Sequence, residues 1–179
     1  MKELGVLKLH KNVVVPKYGT EHSACLDICS CFDRETNIKF WDEKNEKFEL
    51  TWTASKDTSQ RYIEIVKGER FLIPTGIIFM IPHGYSLRIH PRSGLSLKVG
   101  LHMPNSQGVV DSDYPNETFV MMENTSDKFI KIENHQAIAQ IEIVKKHEIK
   151  IFDVENVSDI IEHVKGSNRV GGFGSTDKN

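Results

Sequence analysis

Residues 89–114, Ile89-His-Pro-Arg-Ser-Gly-Leu-Ser-Leu-Lys-Val-Gly-Leu-His-Met-Pro-Asn-Ser-Gln-Gly-Val-Val-Asp-Ser-Asp-Tyr114, carry the chemistry of this chain. The stretch joins a Pro-Arg-Ser-Gly turn to a Gly108-Val-Val-Asp111 turn, so one folded unit holds a cation, a hydroxyl, two carboxylates and an aromatic ring. Those are the parts of a phosphate-ester hydrolase. Arg92 presents a planar fork to phosphate oxygens. Ser93 followed by Gly94 lets the backbone approach an anion closely. Leu95 to Val99 are good helix formers, which predicts a short helix capped by Ser93, with its first amides turned toward the phosphate.

Working outward, the flanking segments read as β-structure. Val6–Leu9 and Val13–Val15 are short β-type runs, and residues 69–89 read as strand, turn and strand, apolar enough for burial on both faces. Thr118–Glu123 and Phe129–Ile132 flank the polar turn Asn124–Lys128 as a hairpin. Ala137–Val144 and His147–Phe152 are further strands, and Ser158–Val164 is a short helical turn. In residues 31–65, Ile38 and Phe40 alternate with polar residues, as do Phe48, Leu50 and Trp52, giving a hairpin followed by a polar loop, Thr53–Arg61. Two readings of that hairpin stand: a docking site for a partner protein, or a cover for a sheet edge.

Length and charge bound the rest. A chain of 179 residues makes one domain with one core. A net charge of −2 gives no electrostatic ground for a nucleic-acid polymer as ligand. Three cysteines, Cys25, Cys29 and Cys31, lie too close together to staple distant elements, which favours a reducing compartment; a zinc site built from them is the alternative. With no long apolar run and no signal peptide, the expectation is a soluble intracellular protein, cytoplasmic or nuclear.

Five short motifs in order resemble those of the homotrimeric dUTPase family. Pro91-Arg-Ser-Gly-Leu-Ser96 and Asn105-Ser-Gln-Gly-Val-Val-Asp-Ser-Asp-Tyr114 are similar to the second and third. Ala24-Cys-Leu-Asp-Ile28 is similar to the first, with Cys25 at a glycine position, and Ile138-Ala-Gln140 to the fourth, preceded by His135-Gln-Ala137 where the family has Gly-Asp-Arg. Gly166–Asn179 is similar to the fifth.

The resemblance implies an all-β, distorted barrel or jelly-roll-like domain over residues 1–165, one short helix, an inserted hairpin within 31–65, and a flexible glycine-rich arm over 166–179. It implies hydrolysis of dUTP to dUMP and pyrophosphate by water attack on the α-phosphorus, with Mg²⁺ as cofactor. Asp111 is then the general base. Asp27 holds the water shell of Mg²⁺. Arg92, Ser93, Gly94 and Gln140 contact the phosphates. Asn105, Gly108, Val109 and Val110 read the uracil, and Tyr114 packs on the deoxyribose. From the arm, Phe173 stacks on the base, Arg169 pairs with phosphate, and Gly174, Ser175 and Thr176 reach the γ-phosphate. The site is assembled from three subunits. Asp113 supports the turn. Two other functions remain open. One is dCTP deamination, alone or combined with dUTP hydrolysis, which needs a glutamate on the strand after the third motif, where Met121 stands and Glu123 lies two residues on. The other is a silent relative that binds a partner protein through the hairpin.

Overall fold

The computed structural model describes residues 3–33, 36–52 and 61–166. It divides into two units, Met1–Lys146 and His147–Asn179. Its described residues form fourteen strands in the first unit: β1 (Gly5–Lys8), β2 (Lys17–Tyr18), β3 (Leu26–Cys29), β4 (Thr36–Trp41), β5 (Lys47–Trp52), β6 (Tyr62–Ile65), β7 (Arg70–Pro74), β8 (Ile77–Met80), β9 (Tyr85–Pro91), β10 (Leu101–His102), β11 (Gly108–Asp111), β12 (Phe119–Asn124), β13 (Ile130–Glu133) and β14 (Ala137–Lys145). They form two five-stranded sheets, ordered β10-β12-β7-β4-β5 and β11-β9-β14-β3-β2, and two small ones, β1-β8 and β13-β6. The barrel is not closed, and the all-β, jelly-roll-like expectation holds.

Period-two burial drives the arrangement. In β6, β11 and β13 every second residue is buried, as a pleated strand with one face on the core requires. The same alternation corrects the expectation for residues 69–89, which form three strands rather than two and are not buried on both faces. β8 ends on an exposed Met80, and β9 sends Leu87 and Ile89 into the core while Arg88 and His90 face the other side. Ile28, Phe32, Ile73, Leu87, Ile138 and Ile141 are among the fully buried side chains of the single core.

Two polar junctions lock the sheets together. At the first, Gly76 has φ +70°, its amide donates to Glu117 Oε1 at 2.7 Å, and Thr75 Oγ1 donates to the Thr118 carbonyl at 2.6 Å. A Cβ on Gly76 would lie 2.6 Å from Val13 Cγ2 and 3.0 Å from Cys31 Sγ. At the second, fully buried Asn124 donates from Nδ2 to the carbonyls of Ile65 and Lys128, both at 2.7 Å, and accepts at Oδ1 from the amide and hydroxyl of Ser126, both at 2.8 Å. This junction explains why β12 and β13 are not the hairpin expected: the Asn124 amide ties the turn to β6, so the chain crosses between sheets, β12 pairing with β7 and β10 and β13 with β6.

Three further differences are local. Val13–Val15 is not a strand; the Val13 amide closes a turn onto the His10 carbonyl, and the pairing with β3 falls to Lys17 and Tyr18. His147–Phe152 is not a strand either, and Ile149, Ile151 and Phe152 are exposed. Leu95–Val99 forms the short helix expected, as a π-helix, but Gly94 stands at its N-cap and Ser93 does not cap it. In the second unit the helical turn is present as α1 (Val157–His163).

The hairpin forms as expected, β4 on β5 with Phe40 opposite Phe48. It lies along the edge of β7, with Phe40 opposite Phe71 and Trp41 opposite Arg70. Phe40 is sandwiched, its ring centroid 5.2 Å from Phe48 and 4.6 Å from Phe71, both stacked. Such pairs contribute about 0.5–1.5 kcal/mol each beyond area burial. Arg70 adds a 2.8 Å hydrogen bond to Asn45 in the hairpin turn. The ends of residues 31–65 are not peripheral, since Phe32, Ile63 and Ile65 belong to the core. Residues 53–60 of the expected loop lie outside the described residues.

Asn124→Ala removes one buried and three part-buried hydrogen bonds and leaves the Ile65 carbonyl without that donor, so it should cost roughly 2–4 kcal/mol, read as a lowered urea midpoint with unchanged m. Gly76→Ala should cost about 2–4 kcal/mol by the same measurement, from the left-handed φ and the overlap with Val13.

Candidate active site

The third motif builds a cleft. After β10 the chain turns through Ser106 at φ +58°, with the Ser106 amide on the Met103 carbonyl, and enters β11 at Gly108. Gly108 is needed there because a Cβ would lie 3.0 Å from Ile89 Cβ on the neighbouring strand. β11 pairs antiparallel with β9, Gly108 opposite Ile89 and Asp111 opposite Ser86. Past the strand, the Tyr114 amide donates to the Asp111 carbonyl at 3.2 Å and the Tyr114 hydroxyl to the Glu117 carbonyl at 3.3 Å, which fixes the ring on the rim. The cleft measures ≈ 500 Å³, and Asn105, Gly108, Val109, Val110, Asp111 and Tyr114 all line it. Asp113 lines it too.

Its apolar floor, which includes Met103, Phe119 and Met121, was not anticipated from the sequence as part of the site. The available signal was the alternation of β12, which brings Phe119 and Met121 to one face.

A second group gathers at the other end of the sheet. Gln140 on β14 stands between Asp27 on β3 and His90 on β9 in the hydrogen-bonded register. Gln140 Nε2 reaches Asp27 Oδ1 at 3.5 Å, and Arg92 Nε lies 3.6 Å from the same oxygen. Arg92 also donates from Nη1 to the Ala137 carbonyl at 2.8 Å, which leaves the guanidinium anchored and partly exposed. Ser93 and Gly94 follow on the exposed turn. The Leu95 and Ser96 amides both donate to the Arg92 carbonyl at 3.1 Å. Those two amides are therefore committed within the turn instead of facing an anion.

The loop that departs from the family's Gly-Asp-Arg has its own support. His135 takes φ +63°, and its Nε2 pairs with the buried carboxylate of Asp33, which also accepts from Asn134 Nδ2 at 3.1 Å. Gln136 Oε1 accepts from the Glu133 amide at 2.9 Å and so closes the turn.

The two groups do not meet within one chain. Asp111 is opposite Ser86, near the start of β9, whereas Arg92 follows its last residue, Pro91. At about 3.3 Å per residue they lie roughly 20 Å apart along the strand, beyond the reach of any side chain. Neither Asp27, Arg92 nor Gln140 lines the cleft.

The cysteines do not converge on a shared zinc site. Cys31 is buried in the core with its Sγ 4.0 Å from Asp33 Oδ2, while Cys29 lies beside the Asp27 group and Cys25 beside Glu142. All three are free thiols. Burial and then the Asp27 charge push the Cys29 thiol above its ordinary pKa, against the opposing charges of Arg92 and Lys17. Burial and then Glu142 raise that of Cys25. Arg169, Phe173, Gly174, Ser175 and Thr176 lie outside the described residues. Among the described residues no helix is long and apolar enough to cross a membrane.

Comparison with known proteins gives the family and the fold. A family model described as dUTPase matches residues 57–176. A deoxyuridine 5'-triphosphate nucleotidohydrolase of Nautilia profundicola is 32% identical over 98% of this chain and 99% of its own. One of Fusobacterium nucleatum is 34% identical over 99% of this chain and 100% of its own. In fold, the chain matches a mutant dUTPase from phage phi11 of S. aureus, described with a coordinated structural Mg(II) ion, at a TM-score of 0.62 and 19% identity, over 87% of this chain and 98% of that one. From the matched family model and the relatives aligned along nearly its whole length, this chain belongs to the dUTPase family.

Proposed function

We propose that this protein hydrolyses dUTP to dUMP and pyrophosphate in a site shared between copies of the chain. The observation that carries the shared site is the separation of roughly 20 Å along β9 between the Asp111 and Arg92 positions. A triphosphate spans far less than that, so the cleft of one subunit takes the nucleoside while the neighbour's cationic group takes the phosphates. A homotrimer satisfies this by cyclic symmetry, each interface repeating the same pairing of patches. The exposed Ile149, Ile151 and Phe152 of the second unit support association, since a neighbouring copy would cover them. Residues 166–179 act as an arm, with Phe173 over the base and Arg169, Gly174, Ser175 and Thr176 on the phosphates. Three free thiols suit a reducing, intracellular compartment.

In the reaction Asp111 accepts the proton of a water that attacks the α-phosphorus, and pyrophosphate leaves in line with the attack. Arg92, Ser93, Gly94 and Gln140 hold phosphate oxygens, chiefly by positioning and charge. Mg²⁺ bound to the triphosphate supplies neutralisation of its oxygens. The half-exposed Asp27 fits as a holder of the ion's water shell, because its Oδ1 already shares Arg92 and Gln140 and Mg²⁺ keeps several waters. Tyr114, fixed on the rim, packs against the deoxyribose and leaves no partner for a 2'-hydroxyl. The backbone of Asn105, Gly108, Val109 and Val110 reads the uracil edge.

The deaminase reading is less well supported. The acidic side chains that line the cleft are Asp111 and Asp113, and Met121 lies on its floor where that chemistry requires a glutamate. Glu123 sits opposite His102 in the β10–β12 register and does not line the cleft. Binding of a partner protein at the hairpin is a separate property of its exposed face, where Phe48 is 42% exposed.

Pyrophosphate release from a panel of dNTPs and UTP tests the reading; dUTP alone should be turned over efficiently, and ammonia release from dCTP should be absent. Asp111→Asn should lower kcat about 10²–10⁴-fold with little change in substrate affinity. Mixing inactive Asp111→Asn and Arg92→Ala proteins under subunit exchange should restore activity at roughly a quarter of the sites, since random hybrids pair an intact cleft with an intact phosphate group that often. No recovery would place the whole site on one chain. Removing residues 168–179 should abolish turnover and leave the assembly intact by light scattering.

A further inference from the structure

Beside the phosphate-gripping group, on the same face of the sheet, three side chains with no part in the reaction above converge. Cys25 lies just before β3, His90 is on β9 and Glu142 on β14, the strand between them. The register places Gln140 opposite both Asp27 and His90, and Ile141 opposite Leu26, so Glu142 comes level with Cys25 and diagonal to His90. The Cys25 Sγ, a ring nitrogen of His90 and a carboxylate oxygen of Glu142 all lie within 4.8 Å of one another. His90 Nε2 is 3.0 Å from Glu142 Oε1.

We propose that Cys25, His90 and Glu142 form a binding site for a divalent transition-metal ion of the Zn²⁺ class, distinct from the Mg²⁺ that accompanies the triphosphate. The donor set is the argument. Sulfur, imidazole nitrogen and one carboxylate are the ligands that Zn²⁺ takes in tetrahedral geometry, and the thiolate disfavours Mg²⁺, which prefers oxygen. His90 and Glu142 come from adjacent strands of the sheet and Cys25 from the residue that enters a third, so backbone hydrogen bonds hold much of their spacing.

A second shell is present as well. Gln107 Nε2 donates to His90 Nδ1 at 3.4 Å, which leaves the ring proton on Nε2 facing Glu142; an ion would take the place of that proton, and the Gln107 amide, turned by half a rotation, would then accept from Nδ1–H. His90 and Glu142 keep 27% and 38% of their side-chain exposure, enough for an ion to enter and for water to occupy a fourth position. An ion there would clip β3, β14 and β9 together two residues from Asp27 on one strand and from Gln140 on another. The site stands whether or not the chain hydrolyses dUTP.

Metal-free full-length protein is titrated with Co²⁺, then Zn²⁺, in excess Mg²⁺. One equivalent of Co²⁺ per chain should bind with a thiolate-to-cobalt charge-transfer band, and Zn²⁺ should displace it. Cys25→Ser should abolish the band, Cys29→Ser should keep it, and Glu142→Gln, which preserves shape, should weaken binding at least tenfold. Gln107→Ala should weaken binding about tenfold through the lost support of His90. Asp27→Asn should leave affinity unchanged, which separates this site from the phosphate group. Circular dichroism of each variant checks that it folds. Absence of the band in the wild-type protein, its survival in Cys25→Ser, or indifference to Glu142→Gln overturns the proposal.

Discussion

Antiparallel register along β9 is the constraint on which the rest depends. A pleated strand cannot shorten, and each hydrogen-bonded pair fixes which residue faces which. With Asp111 locked opposite Ser86 and Gln140 opposite His90, the proposed general base and the proposed phosphate ligands are held at fixed positions along one strand. A slip of one residue would turn Leu87 and Ile89 out of the core and Arg88 and His90 into it. The core therefore enforces that spacing, on which the proposed sharing of the site between subunits rests.

The packing that sustains this register is mostly apolar, yet its corners are polar. Glu117 and Asn124 are both buried, and each satisfies backbone groups where a strand leaves one sheet for another. Backbone amides and carbonyls at such crossings have no ladder partner, and an unpaired buried group is costly. The side chains replace the missing ladder. That is why the segment after the third motif holds a short acidic and amide-bearing stretch between strands instead of a simple reverse turn.

Much of this was readable from residue order because the decisive signals are local. The Gly108-Val-Val-Asp111 stretch was legible as part of the site, although it is strand β11 and not the turn expected, with Gly108 close against Ile89. Alternation in residues 38–52 correctly gave the hairpin. Non-local choices were less legible. Whether Asn124–Lys128 reverses the chain or carries it to another sheet is decided by the Ile65 carbonyl, far away in sequence. Residues 147–152 have strand-like alternation yet form no strand, since alternation cannot report whether a partner strand exists. The helix-forming run after Ser93 did give a short helix, but local propensity could not tell which residue would cap it. The His90, Glu142 and Cys25 cluster was invisible because segments distant in sequence supply it.

The sandwich of Phe40 between Phe48 and Phe71 bears on how the fold tolerates added chain. By docking onto β7 at Arg70 and Phe71, the hairpin moves the outer boundary of its sheet onto β5, whose charged Lys47 and Glu49 discourage self-templating. Trimming the hairpin would bare the main-chain amides and carbonyls of a strand flanked by phenylalanine, a surface inclined to recruit further copies in an open-ended way. The hairpin thus closes the β7 edge of its sheet.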